Sequence, residues 1–414
     1  MLPPTPIRRL LLVPLVVVIA CALAALTPAV ALLTAAFNLI SRRTRPERPR
    51  HSRLLRVTFL GLAWSAGETA ALTVSLCLWL VSGFGGRLDT EPYQARNYAV
   101  IKWFLDLIYR AAGRACGLSV TVAGPPEASP CDDRPLIVLS RHAGPGDSLL
   151  LIHYLLSVCE RRPRVVMKAT LQLDPSMDIL ANRVPNAFLH PAKAKRAKAG
   201  EAGSRPNPGF RTGAAGSHHV DQIRRLAVGL DGGSALAIFP EGGNWTPHRW
   251  RRAIDRLRRG GRPDLAERAA AMPNVLPPHA SGALAAIEAC PAADVIFVAH
   301  TGLDRLVSVR DVWRGLRADM EIRARWWRVP AASVPRAVSR EAQLTWLYDW
   351  WQRIDAWITA ENSSPPPAQR PAEPVQPERG PAAQEPAAQA PSAPASAAPG
   401  PADHGGPRAR PAAT

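Results

Sequence analysis

Residues 140–147 read Ser140-Arg141-His142-Ala143-Gly144-Pro145-Gly146-Asp147, and residues 239–242 read Phe239-Pro240-Glu241-Gly242. Each stretch ends an apolar run, 136–139 in the first case and 235–239 in the second, of the length and composition of a buried strand. Each run then gives way to polar residues among glycine and proline, as a strand does on leaving a sheet. In α/β proteins that edge is where ligands gather. The first stretch supplies a histidine with an aspartate five positions on. Asp147 stands where a helix N-cap belongs, ahead of Leu149-Leu150-Leu151. The turn through Gly144-Pro145-Gly146 can bring its carboxylate back to the His142 ring. A carboxylate on one ring nitrogen fixes the tautomer and raises the basicity of the other. That other nitrogen can then take a proton from a hydroxyl. The second stretch puts Glu241 at a strand end, and Gly242-Gly243 lets backbone amides face a ligand. The plainer reading makes His142 a loop histidine, Asp147 a helix cap and Glu241 an exposed turn carboxylate.

Outward from these stretches the chain alternates. Runs at 118–122, 165–167, 295–298 and 323–329 read as further strands. Helical patterns fall at 148–159, 220–230, 248–257 and 283–290. The alternation predicts an α/β fold, a central sheet flanked by helices. An amphipathic helix is expected over 98–116, with Val100, Ile101, Phe104, Leu105, Leu107 and Ile108 on its apolar face. Residues 193–219 are rich in Lys, Arg, Gly and Ala without an apolar period, and read as a mobile basic loop. At 343–358 Leu347, Trp350, Trp351, Ile354 and Trp357 recur at helical spacing. That stripe is read as core packing, the alternative being a face at a membrane interface. The segment 361–414 is Pro/Ala/Gln-rich and is expected to be disordered.

The N-terminal part is of another kind. Residues 10–40 are almost wholly apolar after Arg8-Arg9, longer than the roughly 20 residues a bilayer core requires. The run is too long for a cleaved signal peptide, so 1–40 is read as a membrane segment. A basic loop, 41–56, carries Arg42, Arg43, Arg45, Arg48, Arg50 and Arg53. The next apolar run, 57–82, is interrupted by Gly67-Glu68 and either spans or re-enters, since a carboxylate at mid-depth needs a partner or water. The positive-inside rule places the arginine loop in the cytoplasm. Two full spans would then put everything after residue 82 outside. A cytoplasmic catalytic domain therefore requires one segment not to cross fully, and Pro28 and Gly67-Glu68 are the breaks that would allow it.

The formal net charge of +18 points to nucleic acid, an anionic membrane face or anionic substrates, or reflects an Arg/Ala/Pro-biased genome. No zinc-finger, RRM or helix-turn-helix pattern supports nucleic acid. The cysteines, Cys21, Cys77, Cys116, Cys131, Cys159 and Cys290, form no CxxC pair. Neither a zinc cluster nor a disulfide framework is legible, which fits a reducing compartment.

Taken together, the two stretches resemble the glycerophospholipid acyltransferase family, enzymes that acylate lysophosphatidate and related lysophospholipids. His142 and Asp147 match its first block, His-x4-Asp, and Phe239 to Gly242 match its third, Phe-Pro-Glu-Gly, in full. Val275-Leu276-Pro277-Pro278 occupies the place of a looser fourth block, with the following strand at 294–302. The resemblance covers roughly 97–335 and implies an acyltransferase domain over 97–360. Two departures concern the headgroup. In the second block Pro185 and Pro191 flank Asn186-Ala187-Phe188-Leu189-His190 where the family has glycine and arginine, leaving Arg183, Lys193 and Lys195 as nearby cations. After the third block Gly243-Asn244-Trp245 replaces Thr-Arg-Ser.

The resemblance implies transfer of a fatty acyl group from acyl-CoA or acyl carrier protein to a lysophospholipid hydroxyl, first among them 1-acylglycerol-3-phosphate. His142 is the implied general base and Asp147 its orienter. Phe239, Pro240, Glu241, Gly242 and Gly243 would position the acceptor, with Arg183 and Lys193 on its phosphate. No metal or cofactor is implied beyond the thioester co-substrate. The expected partners are anionic membrane lipids, the acceptor and the donor, and the expected location is the cell membrane with the catalytic domain on its cytoplasmic face. Other acceptors, such as glycerol 3-phosphate, and a non-catalytic membrane-tethered binding protein remain as alternatives.

Overall fold

The computed structural model describes residues 2–44, 53–125, 131–190, 214–304 and 320–363. Most of the expected basic loop, with Lys193 and Lys195, and nearly all of the expected tail lie outside the described residues, and the described end of that loop, from Ala214, is helical instead.

The strands are β1 (Ser119–Ala123), β2 (Leu136–Ser140), β3 (Arg162–Lys168), β4 (Ala187–Leu189), β5 (Ser234–Ile238), β6 (Asp294–Thr301) and β7 (Glu321–Val329). They form one seven-stranded sheet in the order β1-β7-β6-β2-β5-β3-β4. All pairs are parallel except β6 with β7. Both central strands, β2 and β5, are buried at every position, which is why they read as unbroken apolar runs rather than alternating ones.

Helices cover both faces, as the alternation predicts. Side chains of β2 divide strictly by parity. Ile137 and Leu139 join the cluster formed with α6 (Ala214–Ala227), α9 (Ala280–Ala289) and α10 (Arg340–Ser363). Leu136 and Val138 join the opposite cluster, with Leu155, Val165, Ile296 and Trp326. The tryptophan stripe of α10 is core packing. Leu347, Trp351, Ile354 and Ile358 are fully buried, and Trp350 lies flat on Phe297 of β6 with ring centroids 4.5 Å apart.

On the second face α4 (Pro145–His153) runs into a π-helical turn, Tyr154–Val158. The chain climbs β2 and returns down α4, so the two ends of this unit meet. There Cys131 and Cys159 form a disulfide that their separation of 28 residues does not announce, and it runs against the reducing compartment expected from the cysteines. Sequence periodicity also misses three short elements: β4, α5 (Pro175–Leu180) and α8 (Pro263–Ala270). Between β5 and α8 lies α7 (Pro247–Arg259).

The two N-terminal apolar runs form α1 (Thr5–Thr44) and α2 (Arg53–Val81), both long and apolar enough to cross a membrane. They pack as a hairpin, with Gly61 of α2 against Leu23 of α1. Along its other side α2 packs on α3 (Glu91–Cys116), where Trp64 meets Phe104 edge-on at 5.3 Å and Gly67 faces Leu107. Glu68 is buried and accepts from the Ser176 N–H of α5 at 3.3 Å, so the costly mid-helix carboxylate has a partner in the α/β domain. At the start of α1, Arg8 and Arg9 clasp the buried Asp178, Arg9 Nε at 2.7 Å. The N-terminus and the α/β domain thus sit at the same end of the hairpin. Leu10, Leu11, Leu15, Val18, Leu32 and Leu33 leave an exposed apolar surface on α1.

Candidate active site

Strand register assembles the site. Leu139 pairs with Ile238 and Ser140 with Val298. Carried past the strand ends, this register sets His142 level with Glu241 on one side and His300 on the other. His142 and Glu241 follow the carboxyl ends of β2 and β5, and His300 is the penultimate residue of β6, so all three stand at the edge where this architecture opens a crevice.

His142 Nδ1–H donates to Asp147, 3.0 Å from Oδ1 and 3.2 Å from Oδ2. Nε2 makes no hydrogen bond to any described residue. Asp147 is not the helix N-cap that the sequence suggests. Gly144 caps α4, and Asp147 occupies its third helical position, reaching back over the turn. From there Oδ2 accepts the Ala143 N–H at 2.6 Å and the Gly144 N–H at 3.1 Å, while Oδ1 accepts from Ser148 Oγ at 3.1 Å. The carboxylate is buried, and burial alone would raise its pKa. Hydrogen bonds from His142 and His300 outweigh that and hold it well below the usual carboxylate range. Asp147 therefore stays ionised and holds the imidazole in the tautomer that leaves Nε2 a lone pair.

Glu241 is brought to the same place but faces inward. Its Oε1 accepts the His142 N–H and its Oε2 the Leu276 N–H, each at 3.3 Å. It is buried, and desolvation pushes its pKa up to about 8 against the lowering effects of Arg141 and of the two amides. The side chain ties the His142 loop to the 275–278 segment, each oxygen holding one backbone amide. Phe239 stands beside the histidine with ring centroids 4.8 Å apart, and the Pro240 carbonyl accepts from the His279 N–H at 2.8 Å. At Gly242 φ is +65°, and a Cβ there would press on the His279 ring at 3.0 Å, so only glycine suits the turn. A Cβ on Gly243 would come within 3.0 Å of Arg249 Nη1 and 3.1 Å of Lys168 Nζ.

Sequence reading misses His300, Arg141, Lys168 and Arg249. His300 Nε2 lies 3.3 Å from Asp147 Oδ2 and 3.3 Å from the Arg141 carbonyl, so one carboxylate serves two histidines. Arg141 is buried and bridges the Asp304 carboxylate, the His300 carbonyl at 2.6 Å and the Asn274 carbonyl at 3.1 Å. The available signal was register: a polar residue two positions past the apolar run of β6 falls opposite His142.

Two hollows border the site. An apolar cavity of about 280 Å³, lined by Val138, Leu151, Leu155, Ile296 and Trp326, ends at Asp147 and His300. A cationic cleft of about 780 Å³ has Glu241, Gly242 and Gly243 at one end and α7 as a wall. Arg183 does not line that cleft. It donates to the Ser75 carbonyl of α2 at 2.6 Å, and burial together with nearby Arg9 lowers its pKa. Among the described residues no cluster of His, Cys, Asp and Glu is arranged to hold a metal ion.

No protein-family model matches the chain, and no curated protein matches it. Among solved structures it is similar to the crystal structure of the 1-acyl-sn-glycerophosphate (LPA) acyltransferase, PlsC, from Thermotoga maritima. The identity is 12% and the TM-score 0.39, over 72% of this chain and 99% of that one. At that score the similarity does not by itself establish a shared fold.

Proposed function

We propose that this chain is a membrane-associated O-acyltransferase that moves a fatty acyl group from a thioester to the hydroxyl of a lysophospholipid, 1-acylglycerol-3-phosphate being the first candidate. The observation that supports it is the His142 imidazole held by buried Asp147, between an apolar cavity and a cationic cleft. Few reactions need all three. A fatty chain needs the first hollow, a phosphorylated group the second, and a hydroxyl nucleophile the base between them.

In this reading His142 Nε2 removes the acceptor's hydroxyl proton as that oxygen attacks the thioester carbonyl. The tetrahedral adduct collapses, the C–S bond breaks, and the imidazolium returns its proton to the leaving thiolate. The products are an ester and a free thiol, and no enzyme nucleophile is acylated. Asp147 stabilises the imidazolium between the two proton transfers. Glu241 takes the role of a brace, because both of its oxygens hold backbone amides. The acceptor's phosphate would meet Lys168 and Arg249 beside the Gly242-Gly243 backbone, a pair of cations suited to one phosphate monoester.

The hairpin accounts for location. Spanning forty residues, α1 measures about 60 Å at the helical rise, twice a bilayer's apolar thickness of ~30 Å. Its exposed apolar face would seat the domain at a membrane surface, where lipid acceptor and product stay while the thioester arrives from water.

The test is thiol release and labelled ester formation by purified full-length protein with lysophosphatidate and with a panel of other acceptors, including glycerol 3-phosphate. His142→Ala is expected to abolish turnover while the unfolding temperature stays near that of the parent. Turnover near the parent's would remove His142 from the role of base.

A further inference from the structure

The Cys131–Cys159 bridge joins two segments that other contacts already hold together. On one side is the turn that Cys131 opens. Arg328 of β7 pairs with Asp132, Nη1 at 2.7 Å, and Arg134 Nε lies 3.5 Å from Asp294 of β6. On the other side is the close of the π-helical turn. There the Cys159 N–H donates to the Tyr154 carbonyl at 3.0 Å and the Arg161 N–H to the Leu155 carbonyl at 2.8 Å. Arg161 Nη1 then crosses between the two segments and donates to the Arg134 carbonyl at 2.6 Å. A bridge that alone held two loose segments would let them part when cut. These contacts keep both sulfurs in place after the bond is broken, so that it can reclose.

Arg161 also bears on the chemistry of the bridge. Its side chain is buried, and burial lowers its pKa. Nε and Nη2 find no hydrogen-bond partner among the described residues, and Nη2 stands 3.7 Å from Asp132, beyond hydrogen-bond reach. Buried donors left idle in this way are rare. A thiolate formed two residues away, at Cys159, would be an acceptor for them. A neighbouring cation lowers a thiol's pKa and makes its sulfur a faster leaving group. The two sulfurs are not equally open. Cys131 is half-buried ahead of the exposed Asp132, Asp133 and Arg134. Cys159 is 8% exposed and lines the apolar cavity beside Leu155 and Val158. An incoming thiolate therefore meets Cys131, and Cys159 is the sulfur that leaves.

We propose that Cys131–Cys159 is a thiol–disulfide exchange site, and that its reduction weakens the hold of the apolar cavity on a fatty chain. Only the link from that hold to turnover rests on the acyl-transfer reading. A thiolate of the reductant attacks Cys131 Sγ, the S–S bond breaks, and Cys159 departs as a thiolate beside Arg161. A second thiolate attacks the mixed disulfide and frees Cys131. Two electrons pass to the chain, and the reductant ends as its own disulfide. Reduction puts a charged sulfur in place of a neutral one on an apolar wall and frees the far end of the helical unit that begins at α4. A fatty chain in the cavity loses affinity on both counts.

The experiment holds the purified full-length protein in glutathione buffers of graded ratio, blocks free thiols and reads the two cysteines by peptide mass. The bridge is expected to open in reduced glutathione while thermal unfolding stays cooperative, and to reclose in oxidised glutathione. Arg161→Gln should need roughly tenfold more reductant, the worth of one hydrogen bond to a charged group, with Arg161→Lys between it and the parent. Affinity for a fluorescent fatty acid should fall about fourfold on reduction, as for the loss of one buried methylene. Labelled ester formed below donor saturation should fall by a similar factor. Cys131→Ser should match the reduced parent in both readings and, unlike it, should not recover on reoxidation. A bridge that stays closed until the protein unfolds is a structural staple and overturns the proposal. A bridge that opens while fatty-acid affinity and ester formation hold constant overturns it too. If no donor yields ester in either state while fatty-acid affinity still follows the bridge, the acyl-transfer reading fails and the exchange site stands.

Discussion

Replacing Asp147 by Asn separates geometry from chemistry. The two amides of Ala143 and Gly144 both donate to Oδ2, at 2.6 and 3.1 Å. An asparagine must keep its carbonyl oxygen there, since an NH2 would face two donors. Its NH2 then falls where Oδ1 was, 3.0 Å from His142 Nδ1 and 3.1 Å from Ser148 Oγ. The serine hydroxyl can turn and accept. The imidazole can accept only by moving its own proton to Nε2, and that move removes the lone pair the reaction needs. The fold therefore loses little, while the base is held in the wrong tautomer. General-base catalysis contributes typically about 10²–10⁴ in rate, or roughly 3–5 kcal/mol of barrier, and that is the expected fall in kcat. The assay is thiol release at saturating acceptor across pH 5–9, beside thermal unfolding of both proteins. A variant with more than about a tenth of the parent's kcat would refute the tautomer argument, since general-base assistance counts for typically 10² or more. An equally large fall together with a collapsed unfolding temperature would make Asp147 a brace for the turn.

Three other perturbations probe neighbouring contacts. Glu241→Gln keeps one acceptor and loses the other, about 1–3 kcal/mol. The parent's Glu241 has its pKa raised from 4.5 to about 8, so the stability it gives is full below pH 4.5 and is lost as pH rises towards 8. The variant should therefore be less stable than the parent at pH 5 and nearly equal to it by pH 8; a constant gap in thermal melts would contradict the protonated assignment. His300→Gln weakens one contact to a charged carboxylate, worth about 1.5 kcal/mol, and should lower kcat about tenfold while moving the acid limb of the pH–rate profile. An unmoved limb would make His300 mere packing. Asp178→Ala strands the buried Arg8 guanidinium at a cost of about 3–5 kcal/mol and should expose the start of α1 to protease; unchanged resistance would mean that the hairpin does not depend on this clasp.

Most of the sheet was legible because its central strands are buried on both faces and so read as pure apolar runs. Glu241 and His142 were legible for a related reason: each is the polar residue that ends such a run. The orientation of Glu241 was not, because a strand-end carboxylate looks the same in sequence whether it faces a ligand or two backbone amides. His300 escaped because β6 carries on through Thr301, past the four residues that read as strand. Arg141 escaped because its side chain predicts exposure, and only the assembled fold shows the carbonyls of His300 and Asn274 converging on it. The α7 arginines lie on a helix that was predicted correctly, but a basic helix face carries no sign of the cleft it borders. The short elements β4 and α5 fall below the length at which periodicity can be counted.

Residues 131–159 form a covalently closed ring, and both members of the His142–Asp147 pair ride on it. Cross-linking a loop of that size removes conformations from the unfolded chain, worth roughly 3–4 kcal/mol in the loop-entropy account. That gain belongs to one local unit, the strand that delivers the histidine and the helix that returns the aspartate. A thiol reductant would therefore strike first at the segment bearing the reactive pair, and loss of turnover would precede loss of the rest of the fold.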